Sequence, residues 1–220
     1  MNRRALSPDI NGSEPMADAK APRLLLISGA TGVGKTTLAK EVAHTLGFDR
    51  IVSSDTVREV LRSTTTPGSH PALHRSTFST GATGDAVTDW VDACAAVEPG
   101  LEAVVSRARR EGMDLVLEGA HVLPSNRLLT EWRDQGGVAL GVALVIDNKR
   151  VHCERIEERE THSHRGAARY LAGLDRIREI QDGLLVRAKG STWKVIDTHL
   201  HGDNCDRIRQ WFDEEWYRGR

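Results

Sequence analysis

Cysteine is scarce in this 220-residue chain: Cys94, Cys153 and Cys205 are odd in number and far apart. That excludes a disulfide framework and fits a reducing cytosol, so a cytoplasmic protein is expected. Long apolar runs are missing. No stretch is long enough to span a bilayer, and Met1–Pro22 has no apolar segment of the kind a secretory signal needs. Its Asn, Ser, Pro, Asp and Gly content reads instead as a disordered leader over residues 1–22. An excess of charge of one sign is also absent. The 30 Lys and Arg nearly balance the 31 Asp and Glu, giving a net charge of −1. Nothing global therefore argues for nucleic acid or a membrane surface as partner. Aromatics are few, and Trp90, Trp132, Trp193, Trp211 and Trp216 are dispersed as packing residues rather than as a base-stacking platform. No internal repeat is visible. A chain of this length suits one α/β domain with a full core, over residues 23–220.

Against these absences stands the run Gly29-Ala-Thr-Gly-Val-Gly-Lys-Thr36, which matches G-x-x-x-x-G-K-[ST] at every fixed position. The apolar run Arg23–Ser28 before it reads as a buried strand. After it, Leu38, Val42 and Leu46 recur at helical spacing, and Gly47 closes the helix. The motif is thus a strand–loop–helix. Its glycines let backbone N–H groups wrap phosphates, and the helix N-terminus adds partial positive charge. Gly29, Ala30, Thr31, Gly32, Val33, Gly34, Lys35, Thr36 and Thr37 are the expected nucleotide contacts. Lys35 reaches the outer phosphates of ATP, and Thr36 offers its hydroxyl to Mg²⁺.

Strand and helix patterns alternate along the rest of the chain. Strands are expected at 23–28, 49–53, 114–117, 138–146 and 194–196. A helix is expected at 55–62, then a polar loop over 63–84. Two helices follow, one presenting Val87, Trp90, Val91 and Cys94, the other opening at Pro99 and closing at Gly112. Charged helical stretches cover 148–160 and 166–187, and a last helix covers 203–217. The pattern predicts a three-layer α/β fold with a parallel five-stranded sheet and helices on both faces. Ligands then bind at the carboxyl ends of the strands.

The chemistry-bearing residues fall at those ends. Asp55 and Arg58 share the start of a helix. A carboxylate there can orient or deprotonate an acceptor hydroxyl, and an arginine can grip an acidic acceptor in bidentate fashion. The plain alternative makes Asp55 or Ser54 an N-cap. Glu118 ends the third strand, where P-loop proteins place an acidic residue near Mg²⁺. Gly119 would admit a ligand close to the backbone. His121 either meets an anionic substrate or packs under the next loop. His74, Arg75 and Ser76 form an anion-binding loop or an ordinary surface connection. Arg155, Arg159, Arg165 and Arg169 mark a lid over about 150–170, with Arg159 and Arg165 the foremost candidates to meet the transferring phosphoryl group. The bland reading of that stretch is a solvated, salt-bridged face. His152, Cys153, His162 and His164 fit no closed zinc pattern.

Together, the P-loop, Ser53-Ser-Asp-Thr-Val-Arg58, Leu117-Glu-Gly-Ala-His-Val-Leu-Pro124 and Arg169-Tyr-Leu…Ile177-Arg-Glu-Ile-Gln181 resemble the 2-phosphoglycerate kinase family. The matches span roughly residues 23–200. The resemblance implies a nucleoside-monophosphate-kinase-like fold and ATP-dependent phosphorylation of 2-phosphoglycerate to 2,3-bisphosphoglycerate, with Mg²⁺. Archaeal members carry an additional N-terminal domain, whereas here only a short polar leader precedes the P-loop. A related phosphorylated or phosphonate hydroxy acid is an alternative acceptor. A regulatory P-loop ATPase or nucleotide switch that binds a protein is the alternative function. Asp147-Asn-Lys-Arg150 is only a superficial echo of the guanine-reading Asn-Lys-x-Asp motif.

Overall fold

The computed structural model describes residues 21–160, 166–200 and 202–218. Five strands are formed: β1 (Arg23–Gly29), β2 (Arg50–Ser53), β3 (Leu115–Gly119), β4 (Val138–Val145) and β5 (Lys194–Asp197). They pair in the order β2-β3-β1-β4-β5, every pairing parallel. Strand β1 is central because its residues are apolar on both faces. Leu25 and Ile27 pack on one side with Leu38 and Val42 of α1 (Lys35–Leu46) and with Ile208 and Phe212 of α9 (Asn204–Arg218). Leu24 and Leu26 pack on the other with Trp90 of α4 (Ala86–Arg110), Trp132 of α5 (Arg127–Arg133) and Leu184 of α8 (Leu174–Lys189). That two-residue alternation produces the three layers.

The remaining helices are α2 (Ser54–Ser63), α3 (Pro71–His74), α6 (Lys149–Glu160) and α7 (Ala168–Ala172). The short α3 and α5 lie outside the expected pattern. So does the continuity of α4, which runs straight through Pro99 where two helices were expected. Its buried residues Trp90, Cys94, Val97, Leu101, Val105 and Ala108 keep helical spacing across the proline. Burying a large apolar side chain is worth about 1.5–3 kcal/mol, and an interior proline costs about 3, so the stripe prevails. The next residue, Gly100, lets α2 come close: a Cβ there would lie 2.5 Å from Val57 Cγ1. The charged stretch after residue 166, by contrast, is two helices where one was expected, parted at Gly173, against which the Phe78 ring packs.

No helix among the described residues is long and apolar enough to cross a membrane. Residues 1–20, most of the expected leader, lie outside the described residues, as do His162, His164 and Arg165.

Candidate active site

β1 delivers Gly29 to the carboxyl edge of the sheet, where the chain turns tightly. A Cβ on Gly29 would lie 2.6 Å from Val33 Cγ2 and 2.9 Å from Leu144 O. Gly32 and Gly34 sit at φ 90° and 88°, a region other residues rarely adopt. Gly34 caps α1 without a side-chain hydrogen bond, so no side chain occupies the N–H groups of the first turn. Lys35 Nζ donates to Ala30 O at 2.7 Å, across the loop. Burial lowers the pKa of its ammonium, the Glu118 and Asp55 carboxylates oppose that, and Arg159 adds to the lowering.

Thr36 Oγ1 donates to Glu118 Oε1 at 3.0 Å, and Glu118 is 3% exposed. A hydroxyl and a buried carboxylate side by side at the mouth of a phosphate loop are hard oxygen donors. Mg²⁺ is bound in this way, by one or two protein oxygens completed by phosphates and water. Among the described residues no cluster of three or more His, Cys, Asp or Glu could hold a metal alone. The donor set therefore fits a Mg²⁺ shared with a nucleotide.

Beside the P-loop lies a cavity of about 650 Å³ whose wall includes Thr31, Asp55, Arg58, Thr77, Arg159 and Tyr170. A second cavity, of about 630 Å³, opens near the amino end of β4, around Arg133, Val138 and Trp216.

Asp55 has no capping duty. Ser53 is the N-cap of α2, its side chain accepting from Asp55 N at 3.2 Å. The Asp55 carboxylate has Oδ1 3.3 Å from His121 Nδ1. The His121 imidazole, then the positive charges of Lys35 and Arg58, hold its pKa down to about 2, against a partial desolvation that would raise it.

The structure corrects several expectations on the acceptor side. Arg58 lines the cavity, but its Nε donates to Leu73 O at 3.0 Å and its Nη2 to Arg75 O at 2.9 Å. Its fork braces a loop and is not set for bidentate capture. His74 Nε2 meets Thr65 Oγ1 at 3.1 Å. Arg75 Nη2 donates to Asp89 O and to Asp92 Oδ2, the latter at 2.9 Å. Ser76, Thr77 and Phe78, not His74 and Arg75, face the cavity. Gly119 is needed for Ser54 rather than for a ligand: at φ 150°, a Cβ there would lie 1.7 Å from Ser54 Oγ. His121 is 1% exposed and sits behind Asp55, not in the open cavity.

Two side chains outside the expected acceptor and nucleotide sites organise this region. Asp89, 2% exposed, accepts from Gly81 N at 2.6 Å, Thr83 N at 3.1 Å, Thr83 Oγ1 at 2.8 Å and Arg176 Nη2 at 2.5 Å. Burial alone would raise its pKa; these hydrogen bonds outweigh it and hold the carboxyl below the usual carboxylate range. Asp89 thereby ties the 75–84 loop to α4 and α8. Its signal in the sequence was its place beside Trp90 on the buried face of α4. His152 is fully buried, and its Nε2 meets Thr31 O at 2.7 Å. A Cβ on Gly32 would lie 2.6 Å from Ile156 Cγ1 and 3.3 Å from the His152 ring. Helix α6 thus rests directly on the P-loop. Burial lowers the His152 pKa, the Thr31 hydrogen bond opposes, and Arg178 and Lys35 add to the lowering. The neutral ring donates from Nε2. One turn past Ile156, the Arg159 guanidinium lies 4.8 Å over the Tyr170 ring at the cavity wall; both it and Arg155 are exposed. Arg169 stacks 5.6 Å over Phe78.

A family model described as an AAA domain matches residues 25–183. The 2-phosphoglycerate kinase of Pyrococcus horikoshii is 36% identical over 185 residues, covering 81% of this chain and 60% of that protein. The chain spans about three fifths of the length of the curated relatives it matches. Among solved structures, a Chloroflexus aurantiacus protein superimposes with a TM-score of 0.51 at 18% identity, covering 91% of this chain and 99% of that one. Shikimate kinase of Aquifex aeolicus does so with a TM-score of 0.50 at 12% identity, covering 90% and 99%. At those identities the likeness shows a shared fold, that of the P-loop kinases. The chain therefore belongs to the AAA domain family of P-loop proteins, with 2-phosphoglycerate kinases among its relatives.

Proposed function

We propose that this chain is an ATP-dependent kinase of the cytoplasm that phosphorylates a hydroxyl of a small acidic metabolite. 2-Phosphoglycerate, giving 2,3-bisphosphoglycerate, is the first choice, followed by related phosphorylated or phosphonate hydroxy acids. Neither nucleic acid nor a membrane has a part in this reading. The observation that carries it is the juxtaposition of Lys35 and the P-loop with a cavity walled by Asp55, Arg58 and Arg159. The name of the Pyrococcus relative supports the acceptor.

The residues divide the work. P-loop N–H groups and Lys35 hold the phosphates of ATP. Thr36 and Glu118 hold Mg²⁺, which neutralises phosphate charge when bound. Asp55 accepts the proton side of the acceptor hydroxyl and aims its oxygen at the γ-phosphorus. With a pKa of about 2 it is ionised at neutral pH and a weak base. It therefore acts by orientation, which suffices for a loose phosphoryl-transfer transition state. Arg159 brings positive charge to the transferring group, and Arg165, outside the described residues, is assigned the same task. Helix α6, seated on the P-loop by His152 and Ile156, carries Arg159 into place and limits water.

The test is incubation with Mg·ATP and a panel of 2-phosphoglycerate, 3-phosphoglycerate, glycerate and shikimate, with products followed by mass. Acceptor-dependent gain of one phosphoryl group is expected, fastest with 2-phosphoglycerate. ATP hydrolysis indifferent to every acceptor would overturn the kinase reading in favour of a regulatory ATPase.

A further inference from the structure

His121 joins two segments of the cavity wall that are distant in sequence. Its Nδ1 lies 3.3 Å from Asp55 Oδ1 and 3.4 Å from Ser54 Oγ, and its Nε2 lies 3.2 Å from Thr77 Oγ1. Ser54 Oγ also takes the backbone N–H of His121, at 3.4 Å. A carboxylate only accepts, so the contact with Asp55 places the proton on Nδ1. Nε2 faces the Thr77 hydroxyl, which can donate or accept and so partners that nitrogen in any state of the ring. Thr77 thus seats the far nitrogen of a ring whose Nδ1 proton Asp55 fixes. The carboxylate torsion of an Asp is broad, and a donor on a ring that cannot move is what narrows it. His121 is such a ring, at 1% exposure.

We propose that His121 is a positioning residue for Asp55, its far nitrogen seated by Thr77, so that the loop lining the acceptor cavity sets the carboxylate that orients the acceptor. This rests on the reading of Asp55 as the acceptor-orienting group. Thr77 lies between Ser76 and Phe78 on the wall, and the Phe78 ring centroid is 5.2 Å from that of Tyr170, the ring that Arg159 covers. The loop that seats the ring is therefore in contact with the segment that carries the lid arginines, and acceptor-side order is transmitted to Asp55 through one imidazole.

The experiment has a kinetic and a spectroscopic arm. With Mg·ATP and 2-phosphoglycerate, Thr77→Val keeps the side chain's size and removes its hydroxyl. It should lower kcat by about tenfold, the scale of one lost hydrogen bond, with little change in the KM for Mg·ATP. His121→Gln should lose at least as much, while His121→Asn, whose amide can donate from near the Nδ1 position, should recover most of kcat. Thr77→Val should add nothing to Asp55→Asn. In ¹⁵N-histidine-labelled protein, two-bond ¹H–¹⁵N correlation should show the His121 ring protonated at Nδ1, with its signals displaced in Thr77→Val. Wild-type kcat in Thr77→Val and His121→Gln beside a slow Asp55→Asn overturns the proposal alone. So does an additive double variant, or a ring unprotonated at Nδ1, which is readable whatever the acceptor. Wild-type kcat in Asp55→Asn overturns the reading of Asp55 first, and the proposal with it.

Discussion

On the phosphate side of the cleft, one unbroken run of chain, Gly29–Thr36, supplies the turn, the N–H groups, the lysine and the hydroxyl. On the proposed acceptor side, Asp55, Thr77, His121 and Arg159 arrive from four separate segments: the buried His121 ring meets Asp55 and Thr77, and Arg159 stacks on Tyr170. The first wall is set by backbone geometry, which a short motif can encode. The second depends on partners such as Asp89, which holds the 75–84 loop by four hydrogen bonds from Gly81, Thr83 and Arg176. Conserving a local motif is enough to keep a phosphate site, while an acceptor site can be rebuilt by changing which side chains meet.

The contrast can be broken most sharply on the phosphate side. Lys35→Ala should lower kcat by roughly 10²–10³-fold, as the loss of a charge aimed at the transition state does, with unfolding by urea unchanged. Near-normal turnover in a folded variant would remove Lys35 from catalysis. The acceptor wall should break through its anchor instead. Asp89→Ala should cost about 3 kcal/mol or more in unfolding free energy, because it strands the Arg176 charge and the Gly81 and Thr83 donors. The same residue gives a pH signature. The folded-state pKa of Asp89 lies below its unfolded value, so its stabilisation is complete above the ordinary carboxylate range and is lost as pH falls through it. Chemical denaturation between pH 3 and 7 should show a shallower acid-side slope in Asp89→Asn than in the wild type.

Smaller effects sharpen the comparison. Asp55→Asn should reduce kcat about ten- to a hundredfold with little change in the KM for ATP, the pattern of a group acting on the chemical step. Because Ser53 holds the cap, helix stability offers no rival explanation. Arg159→Lys should lower kcat by about tenfold, since the ammonium lacks the planar fork and stacks less well on Tyr170. The smallest effect should be His74→Ala, with acceptor KM within about twofold of wild type, since His74 is turned to Thr65. A large rise there would return the 74–76 loop to the acceptor site.

The parallel five-stranded sheet and the P-loop were legible in periodicity and in one contiguous run, and Asp55 and Glu118 could be singled out because each lies at a strand end; the strand order and the contact of Thr36 with Glu118 were not. Pro99 misled because a proline is a local signal and the apolar stripe of α4 is a longer one. Arg58, His74 and Arg75 misled because a basic side chain in a loop reads alike whether it faces an anion or its own backbone. Gly119 was read as room for a ligand, and only the crossing of α2 shows Ser54 Oγ filling that space.

By itself the sequence determined the class of fold and the phosphate-binding edge, since periodicity and a contiguous motif are written in neighbouring residues. Tertiary structure alone decided that His152 seats α6 on the P-loop, that Asp89 ties down the cavity loop and that His121 stands between Asp55 and Thr77. Those roles are contacts between residues tens of positions apart. Their chemistry depends on burial and on which partner each polar atom finds, and both exist only once the chain has closed on itself.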